Sequence, residues 1–437
     1  MRFASRLHPE QVMTFRDALF TGLAPDGGLY HPVDPPDLAG LIPSLEGLAS
    51  FPEVAAAACA LLLSPDIPED RARALAANAL TFSPVLRRLD DRVLLLELFH
   101  GPTCAFKDFG AQFLAAAMES LLERKSRRIQ ILVATSGDTG SAVAHAFHGR
   151  ANIDVVILYP SGRVSDLQEK QLTTLGGNVH ALEVQGSFDD CQRLAKEAFQ
   201  DPALRSRLRL TSANSINIGR LVPQCLYYFF AGTRRAEIGG AAPTICVPSG
   251  NFGNLTAGVY AWRWGLPVRG FIAATNVNDI VPAYLKSGRF KPRPSAQTLS
   301  NAMDVGNPSN FERLQETFKG SWEGMAARIE GCSISDERTL ETMRSVHAEH
   351  GVLVDPHTAV GCAAARDHLA AGGAGDEQVV VLSTAHPAKF SDIVEKATGV
   401  VPAMPERLAR CLTLPKQALQ VGTTLGELSG FLQDSFG

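Results

Sequence analysis

Lys107 sits between two phenylalanines in FHGPTCAFKDFG, after a Gly-Pro turn and at the start of an apolar pattern of helical spacing. Phe106, Phe109, Phe113, Ala116 or Ala117 and Leu121 share one helical face, which predicts an amphipathic helix with Lys107 in its first turn. Aromatic surroundings and the positive end of a helix both disfavour an ammonium, so a free amine able to attack a carbonyl is accessible near neutrality. Asp108 pushes the other way. A lysine that snorkels past apolar neighbours to water fits the same local pattern. Lys389, in STAHPAKF, is the rival lysine. It lacks the Gly-Pro turn and the helix start, and turn chemistry before Pro387 explains most of its setting.

Three strand-to-helix turns carry small hydrogen-bonding residues. In TSGDTGSAVAHAF, Thr135, Ser136, Gly137, Asp138 and Thr139 lie where a helix begins, and its unpaired N–H groups favour an anion such as a carboxylate. Plain helix capping is the alternative. In VPSGNFGNLTAG, Ser249, Gly250, Asn251, Phe252, Gly253 and Asn254 form a glycine-interrupted loop suited to cradling a phosphate on backbone amides. In TSANSINIGR, Asn214, Ser215, Asn217 and Arg220 cluster within seven residues, and a guanidinium matches a phosphate through paired hydrogen bonds. A solvated loop explains that last cluster equally well. One Schiff-base candidate lysine together with one phosphate cradle suits pyridoxal 5′-phosphate, whose aldehyde is linked covalently while its phosphate is anchored elsewhere.

Other chemistries lack their motifs. There is no Gly-Lys dipeptide, hence no P-loop, no G-x-G-x-x-G after a strand and no G-x-S-x-G. His145/His148 and His347/His350 have helical spacing without the H-E-x-x-H arrangement, so they read as partly exposed helix histidines and no metal is expected. The eight cysteines form no C-x-x-C pair and read as reduced thiols. A net charge of −4 gives no reason to expect a nucleic-acid or membrane partner. The N-terminal stretch has no signal-like apolar run, and Val54 to Leu63, the longest apolar stretch, is too short to span a bilayer. A cytoplasmic location is the expectation.

These residues need a scaffold, and 437 residues with 45% hydrophobic content predict more than one domain. Continuous Val- and Ile-rich runs at 129–135, 154–160, 179–184, 243–249, 270–275 and 378–384 alternate with helical patterns, which predicts an α/β fold whose parallel strands are buried on both faces. Residues 1–97 are richer in Ala and Leu at helical spacing and read as a separate, mainly helical N-terminal cap. The segment 286–310 is too long for a routine connection and reads as a functional loop.

The chain resembles the threonine synthase family, in the longer form found in bacteria and fungi. The resemblance rests on DGGLYHP, ELFHGPTCAFKDFG, ATSGDTGSAVAHAF, VVILYP, LQEKQLTTLGGNV, SANSIN, VPSGNFGNLTAG, FIAATNVND, LSNAMDVGNPSN and TAHPAKF, in the same order along nearly the whole chain. It implies a fold-type II pyridoxal-phosphate enzyme related to the tryptophan synthase β-subunit, with two parallel-sheet α/β domains and the helical N-terminal domain. The expected division is 1–97 for the N-terminal domain, 98–130 with 214–437 for the large domain, and 131–213 for the small one. It further implies that Lys107 carries the cofactor and shuttles protons, that Gly250 to Asn254, with Ser249, hold the cofactor phosphate, and that Thr384 bonds the pyridine nitrogen. Thr135, Ser136 and Thr139 would bind the substrate carboxylate, Asp138 would lie near the cofactor 3′-oxygen, and Asn214, Ser215 and Arg220 would bind the substrate phosphate, with help from Asn251. The implied reaction turns O-phospho-L-homoserine and water into L-threonine and phosphate, in a monomer or a homodimer. A phospholyase releasing 2-oxobutyrate, or a non-catalytic pyridoxal-phosphate carrier, would keep the same cofactor residues. The segments 286–310 and 165–170 are the expected moving parts.

Overall fold

The computed structural model describes residues 1–46, 50–64, 66–122, 127–135, 137–373 and 375–437. Its strands, in chain order, are β1 (Phe3–Ser5), β2 (Tyr30–Pro32), β3 (Val85–Arg88), β4 (Val93–Glu97), β5 (Ile129–Ala134), β6 (Ile153–Pro160), β7 (Val179–Val184), β8 (Leu210–Thr211), β9 (Thr244–Pro248), β10 (Gly270–Thr275), β11 (Ile329–Ser333), β12 (Val379–Ser383) and β13 (Ala418–Val421). Each of the six runs expected from the sequence is a strand, within a residue or two at its ends. Their continuous hydrophobicity has a direct cause: β5, β6, β9 and β12 are buried at every residue, so both faces of each must be apolar.

Two sheets result. One has six strands in the order β11-β10-β9-β12-β4-β3, parallel except for the antiparallel edge pair β3 and β4. The other has five strands, β13-β7-β6-β5-β8, all parallel. Helix Lys107–Leu121 runs between them and buries eleven of its fifteen residues, with Gly110 allowing it to lie against the Arg220 backbone. A Cβ at Gly110 would come 2.5 Å from the Arg220 carbonyl oxygen.

Strand membership departs from the expected division in two places. Residues 85–97, assigned by composition to the N-terminal cap, form a hairpin inside the six-stranded sheet, where β4 pairs with β12. The Asp90 carboxylate closes that hairpin by accepting the amides of Arg92 and Val93, both at 2.8 Å. Strand β13, assigned to the large domain, instead extends the five-stranded sheet beside β7. Helix Leu425–Phe436 follows it and buries Leu428 and Leu432 against that sheet.

Before that hairpin, the chain contributes helices Phe15–Thr21, Leu41–Leu45, Phe51–Leu63 and Glu69–Ala79 and the β1–β2 ribbon. Their apolar side chains join the same continuous cluster as the helix at Lys107. Phe51, for instance, meets Phe109 and Phe230 edge-on at centroid separations of 5.4 and 5.7 Å. Arg313, fully buried, ties this region to the site by donating to the carbonyls of Tyr30 (2.8 Å), Ser215 (2.8 Å) and Ile216 (2.6 Å). Among the described residues all eight cysteines are free, no cluster could hold a metal ion, and no helix is long and apolar enough to cross a membrane.

Candidate active site

A cavity opens between the two sheets, at the C-terminal ends of their strands, where open α/β sheets bind ligands. The loops after β5, β8, β9 and β12 bring Thr135, Asp138, Thr139, Asn214, Ser215, Arg220, the run Ser249–Asn254 and Thr384 to its wall, together with Lys107. Ser136 lies outside the described residues.

Lys107 opens its helix, with the Phe106 ring 5.0 Å from its Nζ. Burial lowers the pKa of its amine, and the positive charges of Lys389 and Arg220 add to that, against the opposing pull of Asp138. The effect expected from Asp108 is absent, because that carboxylate turns away. It accepts the Thr103 amide at 2.8 Å and the Thr103 hydroxyl at 2.7 Å, and burial raises its pKa to about 6.

Asp138 is the carboxylate that faces the amine, with Oδ2 3.7 Å from Lys107 Nζ. Burial alone would raise its pKa, but the ammonium groups of Lys389 and Lys107 overcome burial and hold the carboxylate well below the ordinary range. Its stronger partner is Lys389, whose Nζ lies 2.8 Å from Oδ1, with Gln168 Nε2 donating to the same oxygen at 3.1 Å. Sequence reasoning placed Lys389 in turn chemistry. The turn is real, a 3-10 segment over Pro387–Phe390, but it serves to bury the ammonium beneath the cavity.

The loop after β9 is built for its backbone. Ser249 Oγ donates to Asn254 Oδ1 (2.6 Å), Asn254 Nδ2 to the Pro248 carbonyl (2.9 Å), and Asn251 Nδ2 to Ser215 Oγ (2.9 Å). These side chains are engaged in shaping the loop, and Asn254 Oδ1 also accepts the Leu255 amide at 3.0 Å, so the donors that the start of helix Gly253–Arg263 can offer an anion are the earlier backbone amides. Phe252 adopts a left-handed conformation, φ 60°, that a phenylalanine rarely takes, so the loop holds a strained turn at the cavity wall. At the β5 turn, likewise, the Thr135 hydroxyl accepts the amides of Gly137 (3.0 Å) and Gly140 (2.8 Å) and shapes the helix start.

Across the cavity, Arg220 is buried. Its Nη1 donates to the Ala213 carbonyl at 2.5 Å, whereas its Nε has no hydrogen-bond partner, and burial lowers its pKa to about 10. That Nε is sealed from the cavity and lies against Gly110, so it is the buried charge of the guanidinium in the cavity wall that favours an anion there. An amine, an amide cradle, a free Thr384 face at the cavity and this second cationic pocket match an aldehyde-bearing phosphorylated cofactor beside a second anionic ligand.

Sequence reasoning passed over Phe106, Phe188, Gln192, Gln224, Met303, Val305 and His357, which also line the cavity. His357 had a signal in DPHTAVG: Asp355 caps helix Pro356–Ala370 and accepts from His357 Nδ1 at 2.6 Å, leaving Nε2 to accept the Ala302 amide at 3.2 Å. Phe188 and Gln192 sit on a helix whose pattern shows only its packing face.

The sequence matches the family described as pyridoxal-phosphate dependent enzyme over residues 76–385, threonine synthase N terminus over 2–80 and threonine synthase, C-terminal over 358–431. Threonine synthase of Haemophilus influenzae is 42% identical over 429 residues, covering 98% of each chain. The crystal structure of the Escherichia coli threonine synthase superposes with a TM-score of 0.92 at 39% identity, over 99% of this chain and 100% of that one. A pyridoxal-phosphate-bound threonine synthase from Brucella melitensis gives 0.89 at 38% identity, over 100% and 99%. With the family match, this identity and near-complete coverage in both directions, the chain belongs to the threonine synthase family of pyridoxal-phosphate-dependent enzymes.

Proposed function

We propose that this chain converts O-phospho-L-homoserine and water into L-threonine and phosphate, using the cavity between the sheets. Bound pyridoxal 5′-phosphate supplies an aldehyde for covalent attachment and a ring that absorbs the charge left by proton loss from the substrate. Lys107 is assigned the attachment and, once freed by the substrate amine, the removal of the Cα proton. A buried amine whose pKa is lowered by desolvation suits both tasks.

The amides of Gly250 to Asn254, on the turn set by Ser249 and Asn251, hold the cofactor phosphate. Thr384 would hold the cofactor ring through its nitrogen, and Asp138 would serve the 3′-oxygen side of the ring. Thr135, Ser136 and Thr139 at the β5 helix start take the substrate carboxylate. Asn214, Ser215 and Arg220 take its phosphate, and after elimination they keep that phosphate near the carbon to which water adds. Burial of the walls by Phe106, Phe188 and Met303 keeps stray water from diverting the reaction to 2-oxobutyrate.

The observation that carries this reading is the pairing of a buried Lys107 amine with the buried Arg220 guanidinium in the wall of one cavity. Borohydride reduction of the holoenzyme followed by peptide mapping is expected to place the cofactor on Lys107, and Lys107→Ala to abolish both cofactor absorbance and threonine formation. A label on another lysine, or 2-oxobutyrate in place of threonine as the main product of the unmodified enzyme, overturns it.

A further inference from the structure

Two lysines share Asp138, and they share it unequally. Lys389 Nζ lies 2.8 Å from Oδ1, a charge-assisted hydrogen bond, while Lys107 Nζ lies 3.7 Å from Oδ2, outside hydrogen-bond range. Lys389 has no exposed side-chain surface and donates also to the Thr103 carbonyl at 3.0 Å. Thr103 in turn fixes Asp108, the residue after Lys107, so one ammonium braces both the carboxylate and the loop that delivers the reacting amine.

Resting on the assignment of Lys107 above, we infer that Lys389 is a positioning residue for that amine: it draws the Asp138 charge onto itself and keeps Lys107 short of a full ion pair, hence nucleophilic.

The charged groups around the pair agree in sign. Lys107 faces Asp138 from helix Asp138–Phe147, Lys389 from the segment after β12, and Arg220 from helix Ile218–Leu221. Burial first, then the two cations, lower its pKa, while Asp138 alone raises it. Asp138 feels Lys389, Lys107 and, more weakly, His357. Lys389 also interacts with Asp108, His145, Cys104 and Cys411. A buried carboxylate facing one amine alone would stabilise its ammonium and so quench it.

The test uses the full-length chain with its cofactor removed, trace acetylation with acetic anhydride over a pH series, and mass spectrometry of the Lys107 peptide. Lys389→Met is expected to move the midpoint upward by about one pH unit, a roughly tenfold slower labelling near neutrality. Lys389→Arg, which keeps a cation on Asp138, is expected to leave it in place. In an Asp138→Asn background, Lys389→Met is expected to move the midpoint much less, because the carboxylate through which Lys389 acts is gone. Should the single Met variant fail to fold by near-ultraviolet circular dichroism, Lys389→Gln is read in its place, with the same upward shift expected. A midpoint unchanged in the folded single variant, an Arg variant that moves with it, or an undiminished shift in the Asp138→Asn background overturns the inference. Borohydride mapping on the holoenzyme stays separate: a label away from Lys107 sinks the assignment of the amine, whereas an unmoved midpoint with the label on Lys107 sinks only the role of Lys389.

Discussion

At the residue scale the site is a problem of buried charge. Lys107, Lys389, Arg220 and Asp138 lie within one desolvated region, where Asp138 is the carboxylate that faces both lysines and the buried Asp108 lies to one side, bonded to Thr103. Removing Asp138 therefore leaves both lysines without that carboxylate: Asp138→Asn is expected to cost about 3–5 kcal/mol by urea unfolding, the penalty for leaving a buried charge uncompensated. The pH dependence has a definite sign. The folded-state pKa of Asp138 lies below its ordinary 3.8, so the carboxylate contributes stability above that value and loses it as pH falls further. The gap between the native chain and Asp138→Asn should thus be full at neutral pH and shrink below about pH 4; a gap constant across that window contradicts the ion pair. Arg220→Lys keeps a charge but loses the planar fork. Because an ammonium cannot offer paired N–H groups in one plane to a phosphate, KM for the phosphorylated substrate should rise about tenfold or more while cofactor absorbance is retained.

Elements explain why such side chains meet, and also which of them could be read from the sequence. The strands were legible because burial on both faces leaves an uninterrupted apolar run, and the site loops because each glycine-rich turn directly follows such a run. Lys107 was legible because it starts a helix whose apolar face is regular. The partnership of Lys389 with Asp138 was not, since more than half of the chain separates them and no local pattern encodes a contact made by folding. Strand β4 was misplaced for a related reason: VLLLE matches a buried helix segment as well as a strand, and only its pairing with β12 decides. Close backbone approach gives a sharper test. A Cβ on Gly250 would lie 2.5 Å from Met303 Cα, so Gly250→Ala must push the 301–303 turn off the cradle. It should cost about 1–3 kcal/mol and weaken cofactor binding, read by equilibrium titration of the cofactor absorbance. Arg313→Met leaves one buried carbonyl, that of Tyr30, and two partly buried ones without their donor and should cost about 1–3 kcal/mol in a urea midpoint measurement.

On the scale of the whole molecule, the cavity walls come from separate sheets, so ligand binding must act on the relation between them. Phe188, Asp189 and Gln192, on the helix after β7, face Pro292, Pro294 and Ser295 across a second opening that continues from the first. The stretch around Lys291–Gln297 is exposed, yet it is stapled at both ends. Asn278 Nδ2 donates to the Ala296 carbonyl at 2.9 Å, and the Arg293 amide to the Gly306 carbonyl at 3.1 Å. Asp304 gathers Asn276, Asn278 and Thr298 beneath it. Such a segment moves as a stapled unit, so closure is expected to bring the Phe188 helix toward it without unravelling it. The other expected moving part, 165–170, is the capped start of helix Asp166–Thr173 and holds Gln168 against Asp138, so it would travel with the β5 turn. Proteinase K should therefore cut the holoenzyme near residues 295–297, and a non-reacting phosphonate analogue of the substrate should slow that cut several-fold by bringing the two rims together. Identical cleavage rates with and without the analogue, at concentrations that saturate the Arg220 pocket, would show that the sheets keep their separation and that water is excluded by the fixed walls alone.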